Sequence, residues 1–362
     1  MAKYILAGLL FFLPLLVLPF GASPFEIPKV IGAEIAVELL LLFVLLKNNL
    51  SLKNFNQTQL IITGILFLLS LLHLVFWKTA DSFFGNPFRL QGTFLLWHLL
   101  AFSLISNSIK LPTNSSYIAF FSLVTLSISA FILGGDVNGR TFGTLGEANN
   151  LAAAALFLWP FLIFSRSQIL KITGTIFLCW IILSSGSRSG LIAFVIQIGF
   201  LVMLRQFSLK PALLISLILM ACSLFLPFVE KSGWYENRAE VWHTALVAGT
   251  LSPIFGHGFG NTQSNLHQTS LILNNNIQYQ IVDSSHNLVL DFWVQGGFLG
   301  VACLVLLLWG GVGGLIKHQA KLELTAFLGI FTVMLFNPVS VVILVYFWWL
   351  ISQGFDNSKP LS

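Results

Sequence analysis

Apolar runs of membrane-spanning length recur along this chain, separated by short polar connections, and a single long polar stretch at 230–287 interrupts them. The runs lie at about 4–20, 28–46, 59–77, 91–109, 116–134, 148–164, 169–185, 190–204, 211–229, 286–309, 322–336 and 338–352. A helix crossing a bilayer needs roughly 20 predominantly apolar residues, and its backbone must be satisfied internally. Helices and closed barrels meet that demand, and these runs are too long and unbroken for barrel strands. The pattern predicts an all-α, polytopic helix bundle of about 12 spans with one long, partly helical loop. The expected divisions are spans 1 to 9 within 1–229, the loop at 230–285, spans 10 to 12 within 286–352 and a tail at 353–362.

Composition agrees: 56% of residues are hydrophobic, 9% are charged and the mean hydropathy is +0.89, which no ordinary soluble surface tolerates. The first run follows Lys3 and carries internal prolines, so it reads as a retained anchor rather than a cleaved signal peptide. Asn337-Pro338 is a very short connection; read as a kink in one long helix, it would give eleven spans. Short loops rich in Lys and Arg face the cytoplasm. With the N-terminus inside, that side collects eleven of the 18 Lys and Arg residues, and both termini are cytoplasmic. The opposite loops are close to neutral and carry Lys29, Arg89, Arg140, Arg188 and Arg238. The net charge of +5 is then cytoplasmic anchoring rather than a nucleic-acid surface. Cys179, Cys222 and Cys303 each fall inside an apolar run without metal-ligand spacing, which predicts no disulfide framework.

No Gly-x-x-x-x-Gly-Lys-Ser/Thr sequence occurs, so chemistry on the outer face needs a substrate activated beforehand and delivered along the membrane. A lipid-linked pyrophosphate fits. In Ser184-Ser185-Gly186-Ser187-Arg188-Ser189-Gly190 an arginine occupies a tight turn between apolar helices. It either snorkels to headgroups or, with small hydroxyl residues around it, binds phosphate bidentately. Arg238 and Trp242 share a face of an amphipathic helix running to about Gly249; alone, this reads as a surface helix with Trp242 at the interface. Gly256-His257-Gly258-Phe259-Gly260 has spaced glycines but no lysine, and reads as a structural turn. Asp283, Ser284 or Ser285 is expected to cap the tenth span, with His286 in its first turn, where the helix dipole favours a neutral imidazole able to accept a proton. Asn287, Asp291 and Gln295 follow at spacing four and should face protein or water. His243, His257, His267, His286 and Asp283 share the insert but lack any close metal-binding spacing. Glu34 and Glu38 lie one turn apart within the second span, where carboxylates pair or titrate. They are expected to meet an arginine from a neighbouring helix or to mark an ion path.

The order of several pieces resembles the O-antigen ligase and O-antigen polymerase superfamily of bacterial membrane glycosyltransferases. These pieces are Phe84-Gly85-Asn86-Pro87-Phe88-Arg89-Leu90-Gln91-Gly92, the run 140–152, Ser187-Arg188-Ser189-Gly190, Arg238 with Trp242, 253–260 and 286–300. The resemblance implies a GT-C-like bundle that moves a glycan from an undecaprenyl-pyrophosphate carrier to an acceptor hydroxyl. Transfer would invert the sugar carbon and use no metal or other cofactor. It places Arg188 and Arg238 on the pyrophosphate and makes His286 the base for the acceptor. Arg89, Arg140, Asn149, Trp242, Asp283 and Asn287 become substrate contacts. The implied partners are the lipid-linked glycan, a glycan, lipid or protein acceptor, and membrane lipids, but no nucleic acid. The implied setting is the bacterial inner membrane with the site outside, in cell-envelope polysaccharide or lipopolysaccharide synthesis. The rival reading is a transporter or lipid-carrier flippase using Glu34, Glu38 and Asp291.

Overall fold

Peptide groups removed from water must find partners within their own segment, which favours helix wherever the sequence is continuously apolar. The computed structural model describes residues 1–46, 55–76, 79–136, 139–206, 237–275, 279 and 282–356, and its regular elements are helical apart from one isolated bridge, Gly135 with Thr141. In chain order these are α1 (Ala2–Ala7, extended by tighter and wider turns to Leu15), α2 (Ile27–Leu46), α3 (Gln57–Phe76), α4 (Ala80–Phe84), α5 (Thr93–Ser106), α6 (Ser115–Leu133), α7 (Ala148–Ile163), α8 (Gln168–Ser185), α9 (Arg188–Met203), α10 (Arg238–Leu251), α11 (Thr262–Leu273), α12 (Leu288–Lys317), α13 (Lys321–Met334) and α14 (Val341–Gly354). The span expected at 211–229 lies outside the described residues. Of the described helices, α3, α6, α8 and α12 are long and apolar enough to cross a membrane, while α5, α7, α9 and α14 are shorter apolar helices.

Two of these shorter helices form the centre. Beyond Asn149 and Asn150 in its first turn, helix α7 is apolar on every side, and all of its residues are buried, as expected of a helix enclosed by others. Nearly all of α14 is buried too. They meet through Phe157 stacked on Tyr346, with ring centroids 3.6 Å apart, and Phe161 beside Trp349. Gln197 of α9 ties in α13 by donating to the carbonyls of Leu156 and Thr325. At the far end of α14, Gly311 and Gly314 of α12 pass against Gly354 so closely that any Cβ would strike backbone, the small-residue contact that lets membrane helices approach.

Helix α12 has 30 residues, about 45 Å at 1.5 Å per residue and more than a bilayer core of about 30 Å requires. It breaks at Gly297, where φ is +58° and ψ is −151°. The segment 252–260 wedges into that break. The amides of His257 and Gly258 donate to the carbonyls of Val294 and Gln295, and the amides of Phe298 and Leu299 donate to those of Pro253 and Ile254. The glycine run is therefore a structural clamp, as its missing lysine implies.

Asn337-Pro338 does not kink one long helix. Helices α13 and α14 are separate: Pro338 cannot donate to a ladder, Ser340 caps α14 by accepting from the Val342 amide, and α13 runs back along α9 from Thr325 near Gln197 to Asn337 at Ser189. The turn 335–340 thus lies at the same end of the bundle as the starts of α2, α5, α7, α9, α10 and α12.

Candidate functional site

Each polar side chain at that end is set by local geometry. Gly186, in the left-handed conformation, ends α8, and Ser187 caps α9 by accepting from the Gly190 amide. Arg188 is consequently the first residue of α9, and it is exposed. Arg140 lies in a turn held to the end of α8: the Thr141 amide and hydroxyl donate to Ser184, and the Arg140 Nε donates to the Ser185 carbonyl. Glu147 precedes α7 and accepts from both following asparagines, at 2.8 Å from Asn149. In the 84–92 turn, Asn86 accepts from the amides of Phe88 and Arg89 and directs Arg89 inward.

The hub is the turn 335–341. The Leu335 carbonyl accepts from Asn287, and the Phe336 ring faces Trp242. Asn337 accepts from Arg238 and donates to Ser189. The Val339 carbonyl accepts from Gln91 and Arg89. The Ser340 amide donates to Asn150, and the Val341 amide donates to Glu26. Six stretches far apart in sequence meet this turn. Arg238 and Trp242, one turn apart on α10 as expected, both contact this turn rather than forming a free surface.

His286 is placed differently from expectation. Asn287 is the N-cap of α12, accepting from Val289 and Leu290 at 2.9 and 3.2 Å. Asp283, Ser284 and Ser285 do not cap the helix, and His286 precedes the cap instead of lying in the first turn. Asn287 acts as the cap because its Nδ2 also donates to the Leu335 carbonyl, which leaves its Oδ1 facing the first free amides. His286 adopts φ +58° and is buried, its amide donating to Ser284 while the Ser285 amide donates to Asp291. A left-handed non-glycine residue is held by its surroundings, here by the backbone bonds of its neighbours.

Arg89 and Asp283 form an ion pair between the 84–92 turn and the insert. Burial works to lower the Arg89 pKa, but Asp283 and Glu26 outweigh it and hold the guanidinium firmly charged. Burial raises the Glu26 and Glu147 carboxyls above their ordinary range, opposed by Arg89. Beside the pair is a cavity of about 110 Å³ with a polar side of Arg89, Gln91, Gln263, Asp283, Asp291 and Gln295 and an apolar side that includes Leu95, Leu99, Phe292 and Trp348. The Asn287, Asp291 and Gln295 stripe thus faces protein and cavity, Gln295 also donating to Thr262.

Glu38 meets His98 of α5 at 3.2 Å, not an arginine. Cys179 and Cys303 are free thiols. Among the described residues no three His, Cys, Asp or Glu side chains group as metal ligands. Sequence reasoning missed Asn337, Glu26, Gln91 and Ser340. The available signal was Asn337 itself, a lone amide inside an otherwise apolar stretch before a proline.

Residues 173–305, a little over a third of the chain, match the family model for O-antigen ligase. The match holds Arg188, Arg238, Trp242, Asp283, His286 and Asn287, while Arg89, Arg140, Asn149 and Asn337 lie outside it. A search of the curated proteins finds no match.

Proposed function

We propose, from the membership of this chain in the O-antigen ligase superfamily, that it moves a glycan from an undecaprenyl-pyrophosphate carrier to an acceptor hydroxyl. We place it in the bacterial inner membrane as a GT-C-like bundle of about 12 spans, with the turn 335–341 on the outer face. What carries the reading is the convergence at that turn of Arg238, the Ser187-Arg188-Ser189 turn and the segment bearing His286, from three separate parts of the chain.

In this reading Arg188 and Arg238 bind the pyrophosphate through paired N–H donors. His286 takes the acceptor's proton as the acceptor oxygen attacks the anomeric carbon from the face opposite the pyrophosphate. The bond from that carbon to the pyrophosphate oxygen breaks, the sugar carbon inverts, and the carrier leaves with its negative charge met by guanidinium groups. The step balances without ATP and without a metal. Arg140 and Asn149 flank the phosphates, and Trp242 and Asn287 shape the seam between insert and bundle. Arg89 and Asp283 line the polar side of the cavity, which offers hydrogen-bond partners to sugar hydroxyls.

The test is product formation by purified protein given a labelled undecaprenyl-pyrophosphate glycan and a panel of acceptors. Arg188→Ala, Arg238→Ala and His286→Ala should each abolish transfer while the protein still inserts. Wild-type turnover in all three would sink the assignment.

A further inference from the structure

Asn337 is 1% exposed, and a buried primary amide has four hydrogen-bonding positions to satisfy. Its orientation is fixed by chemistry. Arg238 Nη2 can only donate, at 3.0 Å, so the atom facing it is Oδ1. The Val333 carbonyl can only accept, at 3.0 Å, so the atom facing it is Nδ2, which also donates to Ser189 Oγ at 2.6 Å. The same logic runs on. Ser187 Oγ donates to Asn149 Oδ1 at 2.9 Å, so across the 3.2 Å gap between the two hydroxyls it is Ser189 that donates. Asn149 Oδ1 also accepts from Arg140 Nη2 at 2.9 Å, and its Nδ2 is fixed by donation to Glu147.

The result is one directed chain in which Arg238 donates to Asn337, Asn337 to Ser189, Ser189 to Ser187 and Ser187 to Asn149, which closes on Arg140. It passes through the turn that carries Arg188. We infer that Asn337 is a positioning residue: it holds the Arg238 guanidinium at a set distance from the Ser187-Arg188-Ser189 turn, so that two arginines from different parts of the chain meet one pyrophosphate. The inference rests on the proposed function. It assigns no contact with substrate to Asn337; the amide acts through Arg238.

The experiment measures transfer kinetics and, separately, binding of a prenyl pyrophosphate probe to protein in nanodiscs. Asn337→Ala should raise the KM for the lipid-linked donor and the probe Kd about tenfold or more, the order expected for loss of a hydrogen bond to a charged group. The kcat at saturating donor should fall alongside, because the same guanidinium meets the charge on the departing pyrophosphate. In an Arg238→Lys background the same substitution should add little, because the geometry it maintains is already gone. Asn337→Asp supplies a second variant. Ionised, it lacks the donor to Ser189 and weakens probe binding; protonated, it can accept from Arg238 and donate to Ser189, so affinity should recover on acidification.

Equal losses in both backgrounds, a fall in kcat with unchanged donor KM, or an Asp variant indifferent to pH would each overturn the inference. Wild-type protein that binds the probe but transfers nothing refutes the transferase reading and leaves the probe measurements to decide on Asn337. Wild-type protein that binds no pyrophosphate refutes both.

Discussion

Gly297→Ala tests the clamp that breaks α12. The φ and ψ of Gly297, +58° and −151°, lie in a region essentially closed to other residues, at a cost of about 1–3 kcal/mol. An added Cβ would also stand 2.6 Å from the Gly256 amide nitrogen and 2.7 Å from the Ile254 carbonyl carbon. The wedge must withdraw, and its bonds to Phe298 and Leu299 lengthen or open; at about 1 kcal/mol each, the total is on the order of 3 kcal/mol. The assay is hydrogen exchange at those two amides, whose partners are Pro253 and Ile254. At 1.36 kcal/mol per decade, exchange through local opening should quicken by about two decades. Gly313→Ala is the control, since a Cβ there meets nothing within 4 Å, and it should leave exchange unchanged. Protection retained within a factor of about three in Gly297→Ala would refute the claim that the wedge depends on a bare backbone.

One further expectation follows from the charges and another from the mechanism. Burial lifts the Glu26 carboxyl above its ordinary value despite Arg89 and Lys29, so the folded state holds that proton more tightly than the unfolded chain. Its contribution is fully present below the unfolded value of about 4.3 and is lost as pH rises through the folded one. Glu26→Gln should therefore melt higher than wild type at neutral pH and show no such gain at pH 4; a lower melting temperature at neutral pH would reverse the assignment. EDTA should leave glycan transfer intact, and a loss restored by added zinc or magnesium would bring back a metal-dependent mechanism.

Much of the bundle was legible because lipid imposes a pattern that sequence cannot disguise: the run read as a span at 148–164 is the helix Ala148–Ile163, although its enclosure by other helices was not encoded in that run. Local chemistry was legible as well. Gly186 and Ser187 fix the Arg188 turn from neighbouring residues, and the four-residue spacing of Arg238 and Trp242 places them on one face. Contacts across the chain were not. Asn337 meets Ser189 across 148 positions and Arg238 across 99, and no periodicity encodes such a meeting. The cap of α12 was misplaced because Asp283, Ser284, Ser285 and Asn287 are all competent caps, and which one acts depends on the Leu335 carbonyl that Asn287 also grips. The same holds for the glycine run, recognisable as a turn but silent about the helix it splits.

The turn 335–341 also dictates an order of assembly. Every partner it gathers except those on its own helices is made earlier in the chain, and among the described helices only α14 comes after it. Until α13 and α14 have inserted, Arg238, Ser189, Asn150, Arg89 and Glu26 lack the one surface they share. Contacts of such sequence separation close late. Arg238 is thus brought into register with the Ser187-Arg188-Ser189 turn only as the α13–α14 hairpin seats, whereas the contacts of Arg140 with Asn149 and of Arg89 with Asp283 do not need it.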